Sequence, residues 1–182
     1  MSFFNTLVDK IQHTIRINFG YKKTNEQKIR YNLPRNFMDI KLFAATKAFI
    51  TYRGKVLLLR ESSKYQDGTN VGKYDVPGGR IKPGQRFDKS LLREINEETH
   101  LKVKIGKPFF VNEWRPIKNG EKWQIIGTFF ECSTKSNKVK LSKDHSDYIW
   151  INPKDYKKYS LIENLHPAFQ AFLKRKSNET YI

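Results

Sequence analysis

The sequence has only one cysteine, Cys132, and no apolar run that approaches the length of a membrane span. A single cysteine excludes a disulfide within the chain and is typical of a protein from a reducing compartment. Crossing a bilayer takes about 18 consecutive apolar residues. The N-terminus also lacks the cationic stretch and long apolar core of a signal peptide. We therefore expect a cytoplasmic protein without a membrane span.

Acidic residues are also scarce, since 18 Asp and Glu stand against 35 Lys and Arg and give a formal net charge of +17. That balance favours a polyanionic partner such as RNA, or an electrostatic funnel that attracts small phosphorylated molecules. The lysines are spread along the chain, so RNA is the less favoured of the two. An aromatic content of 14% argues against disorder.

Several of the few acidic residues cluster in Gly78–Leu101, a glycine-rich turn followed by a helical segment. The preceding Tyr74-Asp75-Val76 is typical of a short strand, and paired glycines let a backbone approach a ligand closely. Three carboxylates share one arc of a helical wheel: Glu94, Glu97 and Glu98. Three apolar side chains share the neighbouring arc and are predicted to face a core: Leu91, Leu92 and Ile95.

The three carboxylates repel each other, by about 0.2–0.5 kcal/mol per pair. They also lie near the C-terminus of the predicted helix, where the helix dipole disfavours anions. One interpretation is a solvated helix face. The other is a bound divalent cation, since Mg²⁺ (or Mn²⁺) takes carboxylate oxygens and shares its shell with water and substrate phosphates.

The spacing of these residues resembles the signature of the Nudix (MutT-like) hydrolase family, G-x5-E-x7-R-E-U-x-E-E-x-G-U, in which U is aliphatic. Gly79 takes the first position, Arg93–Glu98 fills the R-E-U-x-E-E core, and Leu101 takes the last position. The resemblance extends over residues 41 to about 160. It implies an α/β fold, the α/β/α Nudix sandwich with a mixed sheet.

The same resemblance implies hydrolysis of the diphosphate linkage of a nucleoside diphosphate joined to another moiety, such as a nucleotide, nucleotide sugar or dinucleotide. It assigns catalysis to Glu94, Glu97 and Arg93. It assigns metal binding to Glu94, Glu97, Glu98 and the carbonyl of Gly79. We further expect substrate contacts from these residues: Arg80, Lys82, Arg60 and Trp114. Asp144 and Asp147 are candidate accessory acids, although loop turn chemistry is the better single explanation of them.

Two positions depart from the signature. His100 stands where the family has glycine, and histidine visits positive φ more often than most residues do. Gln85 stands where the family has glutamate, which removes a charge. These departures leave a non-catalytic nucleotide-binding module as an alternative, and the basic charge leaves an RNA 5′-end pyrophosphohydrolase as another.

We divide the chain into residues 1–40, 41–160 and 161–182. The first part combines an amphipathic helix with a linker, and its apolar face can pack on its own domain or form a homodimer. The second part is the hydrolase domain. The third is a helix that packs on that domain, followed by a basic tail.

Predicted strands cover 42–51, 55–60, 102–106, 108–116 and 123–132, with turns at Arg53-Gly54 and Asn119-Gly120. Short and final helices are predicted at Pro153–Tyr159 and from Pro167.

Overall fold

A computed structural model describes residues 40–65 and 68–179, with side chains as far as residue 175. The predicted N-terminal helix and linker lie outside the described residues. Within the described part, no helix combines the length and the apolar character that crossing a membrane requires.

In the described residues, eight strands form one mixed sheet, accompanied by two α-helices and a 3₁₀ helix. The strands are β1 (Ile40–Tyr52), β2 (Lys55–Glu61), β3 (Tyr74–Asp75), β4 (Gly78–Arg80), β5 (Val103–Trp114), β6 (Ile117–Lys118), β7 (Glu121–Thr134) and β8 (His145–Ile151). The helices are α1 (Phe87–Thr99), the 3₁₀ helix (Pro153–Lys158) and α2 (Leu165–Glu179). The main strand order is β3-β2-β1-β7-β5, in which β1 and β7 are parallel and the other pairs antiparallel.

Both predicted turns are confirmed. Arg53 and Gly54 have φ values of 47° and 77°, and Asn119 and Gly120 have 50° and 78°. Two successive residues with positive φ define the type I′ turn, whose twist matches that of the flanking strands. The turns therefore fix how β1 returns into β2, and how the chain returns into β7.

Side chains alternate between the two faces of the sheet, so each face has its own core. Ala48 and Ile50 of β1 pack on the face that α1 covers, together with Leu91 and Ile95. Phe49 lies on the opposite face, which α2 covers with buried side chains that include Leu165, Phe169 and Phe172. The α/β/α sandwich is thereby confirmed.

Both ends of α1 agree with the prediction, but one of its predicted core residues does not. Arg86 provides no side-chain cap, and the helix ends at His100, which has a φ of 56° and donates its backbone N–H to Asn96. The prediction for Leu92 is wrong, because this side chain is 37% exposed. It lies one residue off the i, i+4 stripe of Leu91 and Ile95, and only that stripe faces the sheet.

Two further predictions, one for a pair of strands and one for the final helix, also differ from the structure. The two strands predicted at 102–106 and 108–116 are one strand, Val103–Trp114, whose register shifts on both sides of Pro108. Proline has no N–H to give to a ladder, so it is accommodated by an irregularity rather than by a break. The final helix begins at Leu165, two residues before Pro167, as is common because the first turn of a helix tolerates proline.

Candidate active site

Gly78 and Gly79 were predicted in a turn but begin strand β4, which pairs with β1 and leaves no room for side chains. A Cβ on Gly78 would lie 2.2 Å from the carbonyl oxygen of Thr46, and the φ of Gly78 is 131°. A Cβ on Gly79 would lie 2.8 Å from Cδ of Glu94. The start of β4 therefore packs directly against the helix that carries the three glutamates.

Each glutamate of the cluster is held by a hydrogen bond. Arg93 donates through Nη2 to Glu94 at 2.7 Å and through Nη1 to Glu97 at 2.9 Å. Glu98 accepts from the backbone N–H of Gly78 at 3.0 Å. Arg93 therefore partly offsets the repulsion among the carboxylates and links two of them into one unit.

A cavity of about 170 Å³ brings the three glutamates together with the loop before β8. Asp144 of that loop and His145, the first residue of β8, line it. Burial, and then the charge of Lys47, lower the pKa of His145, which favours its neutral form. Of the two candidate accessory acids, only Asp144 lies beside the glutamates.

These residues suit a hard divalent cation by the chemistry of their donors, which are carboxylate oxygens. As placed, no three Asp, Glu, His or Cys side chains of residues 40–65 and 68–175 converge on one point. The hydrogen bonds from Arg93 and from the N–H of Gly78 engage one oxygen of each carboxylate of Glu94, Glu97 and Glu98.

Burial of its carboxyl group raises the pKa of Glu98 to about 8, against the opposing effects of Lys47 and the Gly78 N–H. Lys47 lies in the middle of β1 and is only 9% exposed. Its Nζ is 2.6 Å from Asp75 Oδ2 and 3.3 Å from the carbonyl oxygen of Gly78. Burial alone would lower the pKa of Lys47, but the charges of Asp75 and Glu98 raise it.

Lys47 and Asp75 were not among the residues predicted from sequence. A signal was present, since Lys47 is the one charge in the stretch Ala44–Ile50, which is apolar apart from Thr46, and a buried charge is unusual enough to need an explanation. The ion pair joins β1 to Asp75 at the end of β3, and therefore helps to set the path of the chain from β3 into β4.

A larger cavity of about 540 Å³ adjoins the small one. The two cavities share five lining residues: Lys47, Glu61, Tyr65, Asp75 and Gly78. The large cavity continues between the hairpin that joins β5 to β7 and the segment before α2. Its wall includes both Trp114 and Trp123 and the basic side chains Lys73, Arg80, Arg115 and Lys118.

Trp114 lies flat on β7, because Gly127 leaves the space that its ring occupies. A Cβ on Gly127 would be 2.4 Å from Cη2 of Trp114. Arg80 lies against two rings, with its guanidinium 4.5 Å from the centroid of Trp123 and 5.0 Å from that of Phe43. The predicted substrate contacts Arg80 and Trp114 therefore both border the large cavity.

The structure places the remaining candidates elsewhere. Arg60 and Lys82 line neither cavity, and Arg60 donates to the hydroxyl of Ser146 at 3.3 Å. Asp147 also lies outside both cavities and accepts from the hydroxyl of Tyr74 at 3.0 Å. No sequence pattern indicated Asn164, which lines the large cavity. Its Oδ1 is buried without a hydrogen-bond partner among the described residues.

Comparisons with known proteins agree with this geometry. The sequence model of the NUDIX domain matches residues 41–174. The chain is 29% identical over 107 residues to the nucleoside triphosphatase NudI of Escherichia coli K12, a match that covers 52% of this chain and 72% of the relative.

Solved structures are similar as well. The MutT protein from Methanosarcina mazei Go1 is 26% identical and has a TM-score of 0.66, over 76% of this chain and 97% of that one. A Caenorhabditis elegans Ap4A hydrolase has the same fold, with a TM-score of 0.57 at 17% identity over 76% of this chain and 98% of that one.

Proposed function

The chain belongs to the NUDIX domain family, whose hydrolases act on pyrophosphate bonds, and from that membership we propose its reaction. The proposed reaction is hydrolysis of the diphosphate linkage of a nucleoside diphosphate joined to another moiety, with a divalent cation. A nucleoside triphosphate fits this description, with phosphate as the other moiety, and the similar Escherichia coli protein is named a nucleoside triphosphatase.

The observation that carries the proposal is the junction of the two cavities. The small one holds Glu94, Glu97, Glu98 and Asp144, and the large one has aromatic and basic walls. A nucleotide whose base and sugar occupy the large cavity would extend its phosphates past Gly78 toward the glutamates. The base would then lie against the aromatic side chains of the large cavity, and the phosphates would lie near the glutamates of the small one.

The basic walls attract and orient the phosphates. Lys73 and Arg115 line the large cavity, and clustered cations in a cleft raise the local concentration of an anionic substrate. Arg80 keeps its guanidinium flat against Trp123, so its position is fixed before a phosphate arrives. Such preorganised charges favour the transition state, in which negative charge on the phosphate oxygens increases.

Glu94, Glu97 and Glu98 would hold the cation, together with the carbonyl oxygen of Gly79. A bound Mg²⁺ or Mn²⁺ would neutralise phosphate charge and lower the pKa of a bound water. Glu94 would serve as the general base that accepts the proton of the attacking water. Arg93 positions Glu94 and Glu97, since it is bonded to both.

Base recognition falls to Trp114 and Asn164. An aromatic face offers stacking worth about 1–3 kcal/mol per base. The unpartnered Oδ1 of Asn164 can accept a hydrogen bond from an amino group of the base. Burying that oxygen without a partner costs free energy, and a bound base would supply the missing donor.

The test is a screen of nucleoside triphosphates, nucleotide sugars, dinucleotides and 5′-triphosphate RNA, each with Mg²⁺ and Mn²⁺. The wild-type chain should release a phosphorylated product from at least one class. Glu98→Gln should lower kcat by about 100-fold or more. Glutamine can still accept the bond from Gly78 through its amide oxygen, so the thermal unfolding midpoint should change little.

Full activity in excess chelator would refute the role of the cation. Tight nucleotide binding without turnover in any substrate class would instead establish the non-catalytic binding module. Turnover of 5′-triphosphate RNA alone would establish the RNA-end hydrolase.

A further inference from the structure

Three segments that lie far apart in the sequence carry eight basic residues and no acidic residue: 51–56, 102–107 and 133–141. All eight basic residues are exposed. The fold brings the three segments together at one end of the strands of the sheet. We call the surface that they form the basic rim. The charge that looks evenly spread in the sequence is therefore concentrated in space.

The pairing of the strands sets the arrangement of the basic rim. Thr51 of β1 pairs with Val56 of β2 on one side and with Ser133 of β7 on the other. Ser133 in turn pairs with Lys104 of β5. Neighbouring strands lie about 4.8 Å apart, so these four strand ends span roughly 14 Å.

The loop that follows β7 extends the basic rim toward β8. The carbonyl oxygen of Asn137 accepts from Nε1 of Trp150 at 3.2 Å. The rings of Trp150 and Tyr52 have centroids 5.8 Å apart, and the guanidinium of Arg53 lies 5.3 Å from the Tyr52 ring. Two partly exposed aromatic rings therefore lie among the cations.

The cations of the basic rim have no acidic partners in the part of the chain that the structure describes. Among residues 40–65 and 68–175, none of the eight forms an ion pair. The acidic residue next to the third segment is Glu131, which is partly buried and lies 3.8 Å from Arg175. The basic rim also lies outside both cavities, since none of its basic side chains lines them.

We propose that the basic rim binds the phosphodiester backbone of single-stranded nucleic acid, at a site separate from the two cavities. Lysine ammonium groups neutralise phosphates without regard to sequence, and the released counterions supply the affinity. Tyr52 and Trp150 add rings on which unpaired bases can stack. The four strand ends of the basic rim span roughly 14 Å, which accommodates several consecutive nucleotides at about 3.4 Å each.

An anionic membrane is the less suitable partner. Surfaces that bind membranes by insertion combine basic residues with exposed large apolar side chains. The large apolar side chains that are exposed in the described chain, such as Leu42, Val111 and Ile117, all lie outside the basic rim. The rim can therefore attract a lipid headgroup, but among the described residues it has no fully exposed large apolar side chain to insert between acyl chains.

The test measures fluorescence anisotropy of labelled single-stranded RNA and DNA of about 20 nucleotides, with the full-length chain and excess chelator. The oligonucleotides carry a 5′-hydroxyl, so binding is independent of the proposed hydrolysis. One variant reverses three charges of the basic rim: Lys104→Glu, Lys135→Glu and Lys138→Glu. The matched control reverses three exposed lysines elsewhere: Lys89→Glu, Lys122→Glu and Lys154→Glu.

The rim variant should lose at least about tenfold in affinity at about 100 mM salt, and its log–log salt slope should fall by about 2, since each lost contact contributes about 0.7. The control should lose much less, although its net charge is the same. Equal losses in the two variants, or no binding by the wild-type chain, would overturn the proposal. Preferential binding to phosphatidylserine vesicles would assign the rim to a membrane instead.

Thermal unfolding of both variants verifies that they are folded. Should the Glu variant unfold, the corresponding Lys→Gln set at the same three positions takes its place. The Lys→Gln set of the rim should lose more affinity for the oligonucleotides than a Lys→Gln set at the three control positions.

Discussion

A Cβ atom at residue 79 would lie 2.8 Å from the carboxylate carbon of Glu94, so a side chain at Gly79 and the carboxylate of Glu94 compete for the same space. The φ of Gly79 lies outside the left-handed region, so its backbone accepts other residues. The contact is with the end of a flexible side chain, which can turn away. The absence of a side chain at Gly79 therefore matters for the position of the Glu94 carboxylate and not for the stability of the fold.

Gly79→Ala should lower kcat at least about tenfold and change the free energy of unfolding by less than about 1 kcal/mol. Glu94 would turn to make room and lose the position from which it acts. Steady-state kinetics on a substrate from the screen and urea unfolding measure the two quantities. Gly78→Ala is the matched control, since its Cβ would meet backbone at 2.2 Å with φ at 131°, and it should lose roughly 3 kcal/mol of stability. Unchanged turnover in Gly79→Ala would refute this role.

Lys47→Met should destabilise the chain by about 2–4 kcal/mol, because it leaves Asp75 without its cationic partner in a poorly solvated position. The side chain of Asp75 is 27% exposed, so solvation by water reduces the loss in free energy of unfolding. Lys47→Met combined with Asp75→Asn should recover part of the stability. Urea unfolding of both single variants and the double variant measures the coupling. Strictly additive losses would show that the pair does not stabilise the fold.

Gln85→Glu should lower the metal concentration needed for half-maximal rate. Residue 85 lies at the junction of the glycine-rich loop and α1, and a carboxylate there adds negative charge where the family signature has it. Its Oε1 is buried without a hydrogen-bond partner among the described residues. Lys154→Gln changes the net charge equally at an exposed position and should leave the titration unchanged. A titration of Gln85→Glu identical to wild type would make the position purely structural.

Cys132 should resist alkylation in the folded chain between pH 7 and pH 9. It is 1% exposed, and burial raises the pKa of its thiol to about 12, so almost no thiolate forms in this range. In guanidinium the thiol returns to a pKa of about 8.5 and should react faster as the pH rises. Labelling with iodoacetamide, followed by mass spectrometry, measures both rates. Rapid labelling of the folded chain would contradict the buried placement.

Local features were predictable from sequence because neighbouring residues determine them. The turns at Arg53-Gly54 and Asn119-Gly120 and the left-handed cap at His100 each depend on a few adjacent residues. The signature likewise predicted that Glu94, Glu97 and Glu98 lie on one helix, and the fold that carries them.

The parts that were not predictable depend on contacts between distant segments. The ion pair of Lys47 and Asp75 joins residues 28 positions apart, and its formation requires the register of β1 against β4. Asn164 borders the large cavity only because α2 packs against β5, where Asn112 donates to its carbonyl oxygen at 3.2 Å. No local pattern in the sequence specifies either neighbour.

The parallel pairing of β1 with β7 has a consequence for synthesis on the ribosome. The hydroxyl of Thr51 donates to the carbonyl of Cys132, 81 positions later, and the intervening chain must be made before the two strands can meet. At about 5–20 residues per second, this takes roughly 4–16 s. Throughout that time the apolar β1–β2 hairpin is exposed without its central partner, and contacts of such long range also slow folding. The nascent chain is therefore most prone to aggregate, and most dependent on chaperones, before residue 134 leaves the ribosome.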